Sequence, residues 1–220
     1  MFEAWLLQCG IRQLGLFVSS TIIFAMTPGI DTVFVLNRAI GYGKKIGAMV
    51  ALGVATGVLV HTLFAALGLA TLIAKSALLF SIIKYLGAMY LIYLGVTSIY
   101  HTIKNPSQLA LQQTTITKAI TPLQAYRSGL FTNVLNPKVA LFFLAFFPQF
   151  ISPMMMSSGT PYLVLGVLYA LISAVWLVVL ALLAGSVLSR FLTSYKAKRI
   201  MDIGSGAVFV GLGAKVALSD

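Results

Sequence analysis

The hydrophobic residues of this 220-residue chain fall into blocks that are separated by short polar connections. Most blocks are about as long as the roughly 20 residues that a helix needs to cross about 30 Å of hydrocarbon. The pattern predicts six transmembrane helices, over residues 14–36, 46–74, 77–99, 128–150, 162–187 and 200–218. The second block exceeds a minimal span, so we expect this helix either to tilt or to leave the membrane at its end.

One long polar stretch, residues 100–127, divides the six predicted helices into two sets of three. An odd number of helices per half means that the second half enters the membrane in the opposite orientation. This arrangement is typical of transporters that are built from inverted repeats. We therefore predict an all-α integral membrane protein with one repeat over residues 1–99, a loop over 100–127 and a second repeat over 128–220.

Composition and charge indicate what surrounds these helices. Hydrophobic residues make up 60% of the chain and charged residues only 9%, whereas soluble domains are about a quarter charged. A net charge of +11 would suit nucleic acid, but in membrane proteins Lys and Arg collect in cytoplasmic loops. Here ten of them lie in the three connections on one side and four lie on the other. We expect both termini outside, a cytoplasmic central loop, a lipid bilayer around the helices and no nucleic-acid partner.

Few side chains could carry metal or redox chemistry. The single cysteine, Cys9, excludes an internal disulfide and a cysteine-based metal cluster. The two histidines, His61 and His101, are far apart in sequence, so we expect no metal site and no cofactor. Glu3 and the lack of a basic cluster before the first apolar block argue against a cleaved signal peptide. That block should therefore be a retained helix.

Proline motifs interrupt the first predicted helix of each half. The motifs are Thr27-Pro28-Gly29-Ile30-Asp31 in the first helix and Asn136-Pro137-Lys138 in the fourth. Proline removes a backbone donor and clashes with the preceding turn, so each helix should kink or break there. Each motif begins with a helix-capping residue type, and proline itself favours the first position of a helix. Paired interruptions of this kind point to a binding site near the middle of the membrane.

A broken helix exposes free N–H groups and about half a positive charge at the start of its second segment. Two such starts that face each other would hold an anionic group such as a carboxylate. The alternative is that each proline only kinks its helix and adjusts packing. The charges that accompany both motifs favour binding. The predicted substrate-binding residues are Thr27, Pro28, Gly29, Asp31, Asn136, Pro137 and Lys138.

Asp31 and Lys138 place charges deep in predicted spans. A charge at the bilayer centre costs about 2.5–3.5 kcal/mol on insertion scales. Either the two residues neutralise each other in a buried salt bridge, or they exchange that partnership for the ammonium and carboxylate of a zwitterionic substrate. Both can hold in different states of one cycle. We favour substrate binding, because a salt bridge alone gives no reason to keep such costly charges.

Two further features each have two interpretations. His61, inside the second predicted helix, could relay protons because imidazole exchanges protons near neutral pH, or it could simply pack between helices through one hydrogen bond. Gly53 and Gly57 form a small-xxx-small pair that permits close helix approach. The pair fits a contact within one subunit and equally a contact between two copies, so a homo-oligomer stays open.

Three motifs stand in a defined order along the chain. The first is TPGIDTVFVL at residues 27–36, the second is KYLGAMYLIYLG at 84–95, and the third is NPK at 136–138, in an aromatic-rich helix that ends in PQF. Together they resemble the LysE/RhtB family of bacterial amino-acid exporters, over essentially the whole chain. The chain departs from the family at Ile30, where a second proline is usual. The break in the first helix is therefore expected to be milder here.

The resemblance implies export of amino acids or related small metabolites across the bacterial cytoplasmic membrane, coupled to protons. In the resulting hypothesis the two halves alternate access, and Asp31 binds either the substrate amine or a proton. A transporter of metal ions or purine-like metabolites is an alternative, but a metal carrier needs more ligating side chains in its spans. An embedded enzyme would need clustered nucleophiles or bases. A purely structural protein would not explain the paired breaks.

Overall fold

A computed structural model of the chain describes residues 7–104, 119–184 and 194–218. These residues are almost entirely helical, and the only strand-like pairing among them is one antiparallel bridge between Ile11 and Ile151. The helices are α1 Leu14–Met26, α2 Ile30–Tyr42, α3 Lys44–Phe64, α4 Ala70–Lys75, α5 Ala77–Lys104, α6 Pro122–Val134, α7 Pro137–Phe146, α8 Gly159–Leu183 and α9 Tyr195–Leu218. A π-helical segment, Ala65–Leu69, joins α3 to α4 without a break.

The described helices provide four to six candidate membrane crossings. Four are long and apolar enough to span a bilayer: Lys44–Leu72, Lys84–Lys104, Gly159–Leu183 and Arg199–Leu218. Two more arise if each bent pair counts as one span, α1 with α2 and α6 with the segment Pro137–Phe150. Both pairs bend by 52°. The all-α membrane architecture is thereby confirmed, while the inverted relation between the two halves stays a prediction.

Several helix ends differ from the sequence-based bounds. The first span continues to Tyr42, the third to Lys104, and the predicted loop over 100–127 is helical again from Pro122. The early start of α6 has a local cause: the Thr121 hydroxyl accepts from the Gln124 N–H at 3.2 Å, and the Gln124 side chain accepts from the Thr121 N–H at 2.9 Å. This capping box satisfies two donors at the helix start. Residues 105–118 of the loop and 185–187 of the predicted fifth helix lie outside the described part of the chain.

Glycines allow two pairs of helices to pack backbone to backbone. A Cβ on Gly53 would meet the Tyr126 carbonyl, and one on Gly57 would lie 2.6 Å from Oδ1 of Asn133. The small-xxx-small pair therefore packs α3 against α6 within one subunit. Gly95 and Gly206 pack α5 against α9 in the same way, since a Cβ on Gly95 would lie 2.5 Å from the Gly206 carbonyl oxygen.

Aromatic side chains close one end of the bundle. Phe17 of α1 lies 5.3–5.7 Å, centroid to centroid, from three rings of α7 and the turn that follows it. At the same end the Arg12 N–H donates to the Phe150 carbonyl at 2.7 Å, and the Ser152 N–H donates to the Gly10 carbonyl at 2.7 Å. The opposite half is packed with smaller aliphatic residues, among them Val35, Val50, Val54, Leu177 and Leu180.

The outer face of the bundle suits a lipid environment. Along α8 a stripe of exposed apolar side chains recurs about every four residues, which places them on one face of the helix. Its members are Leu163, Val167, Leu171, Val175, Val179 and Leu182. In water such a stripe would be an unusually large apolar patch, whereas hydrocarbon solvates it without cost.

Candidate functional site

The first helix break produces an open helix start. The Thr27 hydroxyl donates to the Ile23 carbonyl at 2.7 Å and ends α1, and Pro28 has no N–H to continue it. Gly29 is the N-cap of α2, in extended conformation and without a side chain to cap the helix. The first intrahelical bond runs from the Val33 N–H to the Gly29 carbonyl at 3.0 Å. The three first-turn N–H groups of α2, those of residues 30–32, are therefore available to a ligand.

The second break differs, because α7 caps itself. Asn136 Oδ1 accepts from the Lys138 N–H at 3.0 Å, and the Asn136 carbonyl accepts from Val139 and Ala140 at 3.1 and 3.2 Å. Pro137 has no donor to offer. The expected cradle of two open helix starts is therefore found on one side only, since the Asn136 side chain occupies the donor that a ligand would use.

Asp31 lies in the first turn of α2 with its two carboxylate oxygens in different environments. Oδ2 accepts from Asn133 Nδ2 at 2.9 Å and from Asn136 Nδ2 at 3.2 Å. Oδ1 is buried and has no hydrogen-bond partner. A buried acceptor left unpaired costs about 1–3 kcal/mol, and more when it is charged. The second break thus orients Asp31 through two asparagines and leaves one oxygen for another donor.

The Lys138 ammonium does not donate a hydrogen bond to Asp31 Oδ1. The ammonium lies over the Phe24 ring, 4.7 Å from the centroid, and next to Gly29, where a Cβ would lie 3.5 Å from Nζ. No ion pair joins it to Asp31, although both residues lie in the described part of the chain and interact electrostatically. The ammonium therefore sits beside the positive end of α2, where the helix dipole favours an anion. The salt-bridge interpretation does not describe this conformation.

A narrow cavity of about 40 Å³ connects these groups. Its polar side is formed by the start of α2, Asp31 and Lys138. Its other walls are apolar or uncharged, with Phe24, Val54, Val58, Asn133, Val139, Tyr169, Ser173 and Leu177 among the lining residues. Among the described residues that line the cavity, Asp31 and Lys138 are the only charged ones. Such a cavity offers one anion position, one cation position and an apolar compartment.

His61 is connected to the site without lining it. The ring is buried, stacks against Phe143 at 5.8 Å, and places Nε2 3.1 Å from the Asn133 carbonyl. Because a carbonyl only accepts, Nε2 is the donor. Asn133 in turn donates through its side chain to Asp31. His61 therefore fixes the residue that orients Asp31, and its role in proton transfer stays a prediction.

The prolines and charges pointed to most of the polar wall, but the sequence reasoning missed other wall residues. Asn133 is visible in the sequence as a polar residue in an apolar span, and it fits two interpretations there: a residue that lines a pathway, or a partner in interhelical hydrogen bonding. Tyr169, Ser173 and the aliphatic wall had no comparable signal, since their residue types are equally common in helix packing. Within the described ranges no three metal-binding side chains of the His, Cys, Asp or Glu types cluster together.

The amino-acid sequence is similar to one known protein family and to several known membrane proteins. The family model described as "LysE type translocator" matches residues 22–220. A leucine efflux protein of Salmonella typhimurium is 31% identical over 212 residues, which cover 96% of this chain and 97% of the relative. A leucine efflux protein of Enterobacter sp. is 32% identical over 215 residues, with 96% and 97% covered. An uncharacterized membrane protein of Bacillus subtilis is 34% identical over 202 residues, with 90% and 94% covered. No solved structure matches the chain.

Proposed function

The chain belongs to the LysE type translocator family and is a membrane transporter of the amino-acid type rather than an enzyme, and we propose that it exports neutral amino acids with apolar side chains. The two opposite charges that lie on one cavity without pairing carry this proposal. Asp31 presents an unpartnered carboxylate oxygen, and Lys138 presents an ammonium beside the start of α2. An α-amino acid has the complementary pair of charges on adjacent atoms.

The substrate carboxylate binds between the Lys138 ammonium and the open start of α2. There it receives charge-assisted hydrogen bonds and the favourable end of the helix dipole. The substrate ammonium binds to Asp31 Oδ1, the oxygen that the two asparagines leave unpaired. The polar side of the cavity is then fully neutralised, which supports binding of a zwitterion over an ion of either sign.

The apolar compartment supports substrates with uncharged aliphatic side chains. Val54, Val58 and Leu177 line it, and of the lining residues that the structure describes only Asp31 and Lys138 are charged. A lysine or glutamate substrate would bring a third charge without a partner, and a buried unpaired charge is strongly disfavoured. Several relatives are named leucine efflux proteins, and leucine has a side chain of the expected kind.

Export follows from coupling to protons at Asp31. The carboxylate binds either the substrate ammonium or a proton, so release outside and protonation there reset the site. One charge that moves through 100 mV releases about 2.3 kcal/mol, which supports a substrate gradient of roughly 50-fold. With both termini outside the cytoplasmic membrane, the aromatic end near Phe17 faces out. The present conformation is then closed to the exterior, and alternating access opens that end.

Counterflow in proteoliposomes tests the proposal. Vesicles loaded with unlabelled leucine should take up labelled leucine, isoleucine or valine and exclude lysine and glutamate. Asp31→Asn should lose uptake driven by a pH gradient while eluting as a folded protein. Asp220→Asn removes the same charge at the end of the chain and is the matched control, which should transport normally. Full pH-driven transport by Asp31→Asn would remove Asp31 from the mechanism, and exclusion of every aliphatic amino acid would refute the substrate class.

A further inference from the structure

A hydrophobic groove lies between α1 and α8 on the outer face of the bundle. Three residues of α1 and five of α8 line it, all of them hydrophobic, and it holds about 390 Å³. On α1 it reaches Met26, the last residue before the helix break. On α8 it includes Val175, which is 65% exposed and belongs to the stripe that faces lipid. We call this feature the side groove.

One small residue lies between the side groove and the inner cavity, the cavity that contains Asp31 and Lys138. Ala25 of α1 lines both spaces. On α8 the two spaces are lined by neighbouring positions, such as Leu177 on the inner cavity and Trp176 on the side groove. The boundary between them is therefore the line along which α1 meets α8. At Ala25 the side chain on this line is a single methyl group.

In the present conformation the inner cavity is smaller than the substrate proposed for it. Its volume of about 40 Å³ admits roughly three water molecules, and leucine has more heavy atoms than that. The charged groups of an amino acid already have partners in Asp31 and Lys138. The missing space is thus needed for the substrate side chain. Beyond Ala25 such space is present, and it is hydrophobic.

We propose that the side groove receives the end of the substrate side chain, so that amino acids with long unbranched aliphatic side chains are substrates in addition to leucine. This inference rests on the proposed function, because Asp31 and Lys138 hold the charged end of the molecule. The side chain passes Ala25 between α1 and α8 and ends among the groove residues and lipid. A side chain that ends in a hydroxyl is disfavoured, since the hydroxyl would lie in hydrocarbon without a partner. The indole nitrogen of Trp176 is buried and does not reach the groove surface.

Such a groove makes affinity depend on side-chain length in a characteristic way. A closed cavity sets an upper limit, because each further methylene overpacks its wall. A groove that opens to lipid sets no such limit. Each methylene that leaves water should then tighten binding about fourfold, which corresponds to about 0.8 kcal/mol. Three added methylenes should raise the affinity by about 60-fold on the same scale.

Competition against labelled leucine measures this dependence, with the purified full chain in lipid nanodiscs. The competitors are alanine, norvaline, norleucine, α-aminoheptanoate and α-aminooctanoate. For the wild type, affinity should rise with each methylene up to α-aminooctanoate. The polar competitor is ε-hydroxynorleucine, which has as many heavy atoms as α-aminoheptanoate. It should bind about tenfold less tightly or worse, because its hydroxyl loses water without gaining a partner.

Two variants block the side groove without changing a charge. Ala25→Leu narrows the passage, and Val175→Trp fills the groove from α8 at a position that does not line the inner cavity. Both should bind alanine like the wild type but lose the gain with length, so that norvaline and α-aminooctanoate compete equally well. Ala207→Leu is the matched control, because it makes the same change at an exposed position of α9. It should keep the wild-type dependence on length.

Contrary results separate this inference from the proposed function. Affinity that falls in the wild type once the side chain is longer than that of leucine would overturn the inference and leave the proposed function standing. An unchanged dependence on length in either blocking variant would do the same, since the side groove would then hold lipid only. If Ala25→Leu loses alanine binding as well, the result for Val175→Trp decides. Failure of folded wild-type protein to bind any aliphatic amino acid would overturn both proposals.

Discussion

Replacing Gly57 by alanine should disturb the proposed substrate site from a helix that contributes no charge to it. A Cβ at this position would lie 2.6, 2.7 and 3.0 Å from Oδ1, Cβ and Cγ of Asn133, whereas ordinary contacts begin at 3.4 Å. The Asn133 side chain must therefore move by roughly 0.7 Å. A shift of that size is enough to break its 2.9 Å hydrogen bond to Asp31.

Two effects of this substitution can be separated by their magnitudes. Overpacking lowers the free energy of unfolding by about 1–3 kcal/mol. Alanine has fewer unfolded conformations than glycine, which raises the free energy of unfolding by about 0.4–1 kcal/mol. The lost bond to a charged acceptor is worth about 1.5–3 kcal/mol, which corresponds to a 10- to 150-fold weaker site if Asp31 loses its orientation. We therefore expect modestly lower thermal stability but a large fall in leucine counterflow at low substrate concentration.

A double variant and a matched control make the test sharp. Gly57→Ala with Asn133→Ala removes the collision, so thermal stability should recover while counterflow stays low, because the bond to Asp31 is still missing. Gly211→Ala in α9 has no atom within 4 Å of the new Cβ and should behave as wild type. Thermal unfolding in detergent and initial counterflow rates measure the two effects. Wild-type counterflow by Gly57→Ala would refute the view that packing of α3 on α6 orients Asp31.

Three further outcomes are expected. Lys138→Gln should weaken leucine binding at least tenfold through loss of a charge-assisted bond, whereas Lys138→Arg should retain measurable affinity, and equal affinity in both variants would contradict a role in carboxylate binding. Leu177→Phe should shrink the apolar compartment and shift counterflow preference from leucine towards alanine, while an unchanged preference would show that this wall does not contact the substrate. Thr121→Ala should remove the capping box and lower stability by about 1 kcal/mol without altering the substrate profile.

The spans and their breaks were readable from the sequence because hydropathy and proline act locally. Blocks of apolar residues follow from the thickness of the bilayer, and Pro28 and Pro137 remove donors wherever they stand. The start of α6 was also readable, since Thr121 and Gln124 have capping-box spacing, but the predicted helix began at residue 128. That error came from weighing polarity alone, because a helix may extend beyond the apolar part of its span.

The site itself was only partly readable. The sequence reasoning placed Asp31 deep in a span but missed Asp202, which lies near the start of a sixth helix predicted to begin at residue 200. In the structure α9 starts at Tyr195 and Asp202 is buried against α5. Self-capping by Asn136 was equally hidden, since the residue type that marks a helix start also decides whether that start is open. Contacts between distant segments, such as that of Asn133 with Asp31, depend on packing that no local pattern encodes.

The bridge between Ile11 and Ile151 holds one end of the bundle through main-chain groups, so its strength does not depend on the side chains that line the cavity. Its two bonds, from Arg12 to Phe150 and from Ser152 to Gly10, join main-chain groups that are the same in nearly every residue type. Part of the energy that holds this end shut is therefore insensitive to side-chain substitution. Homologous transporters could therefore differ at wall residues such as Val54 and Leu177, and so in substrate, while keeping the same two main-chain hydrogen bonds. Proline at either donor position is the one natural substitution that would remove a bond outright.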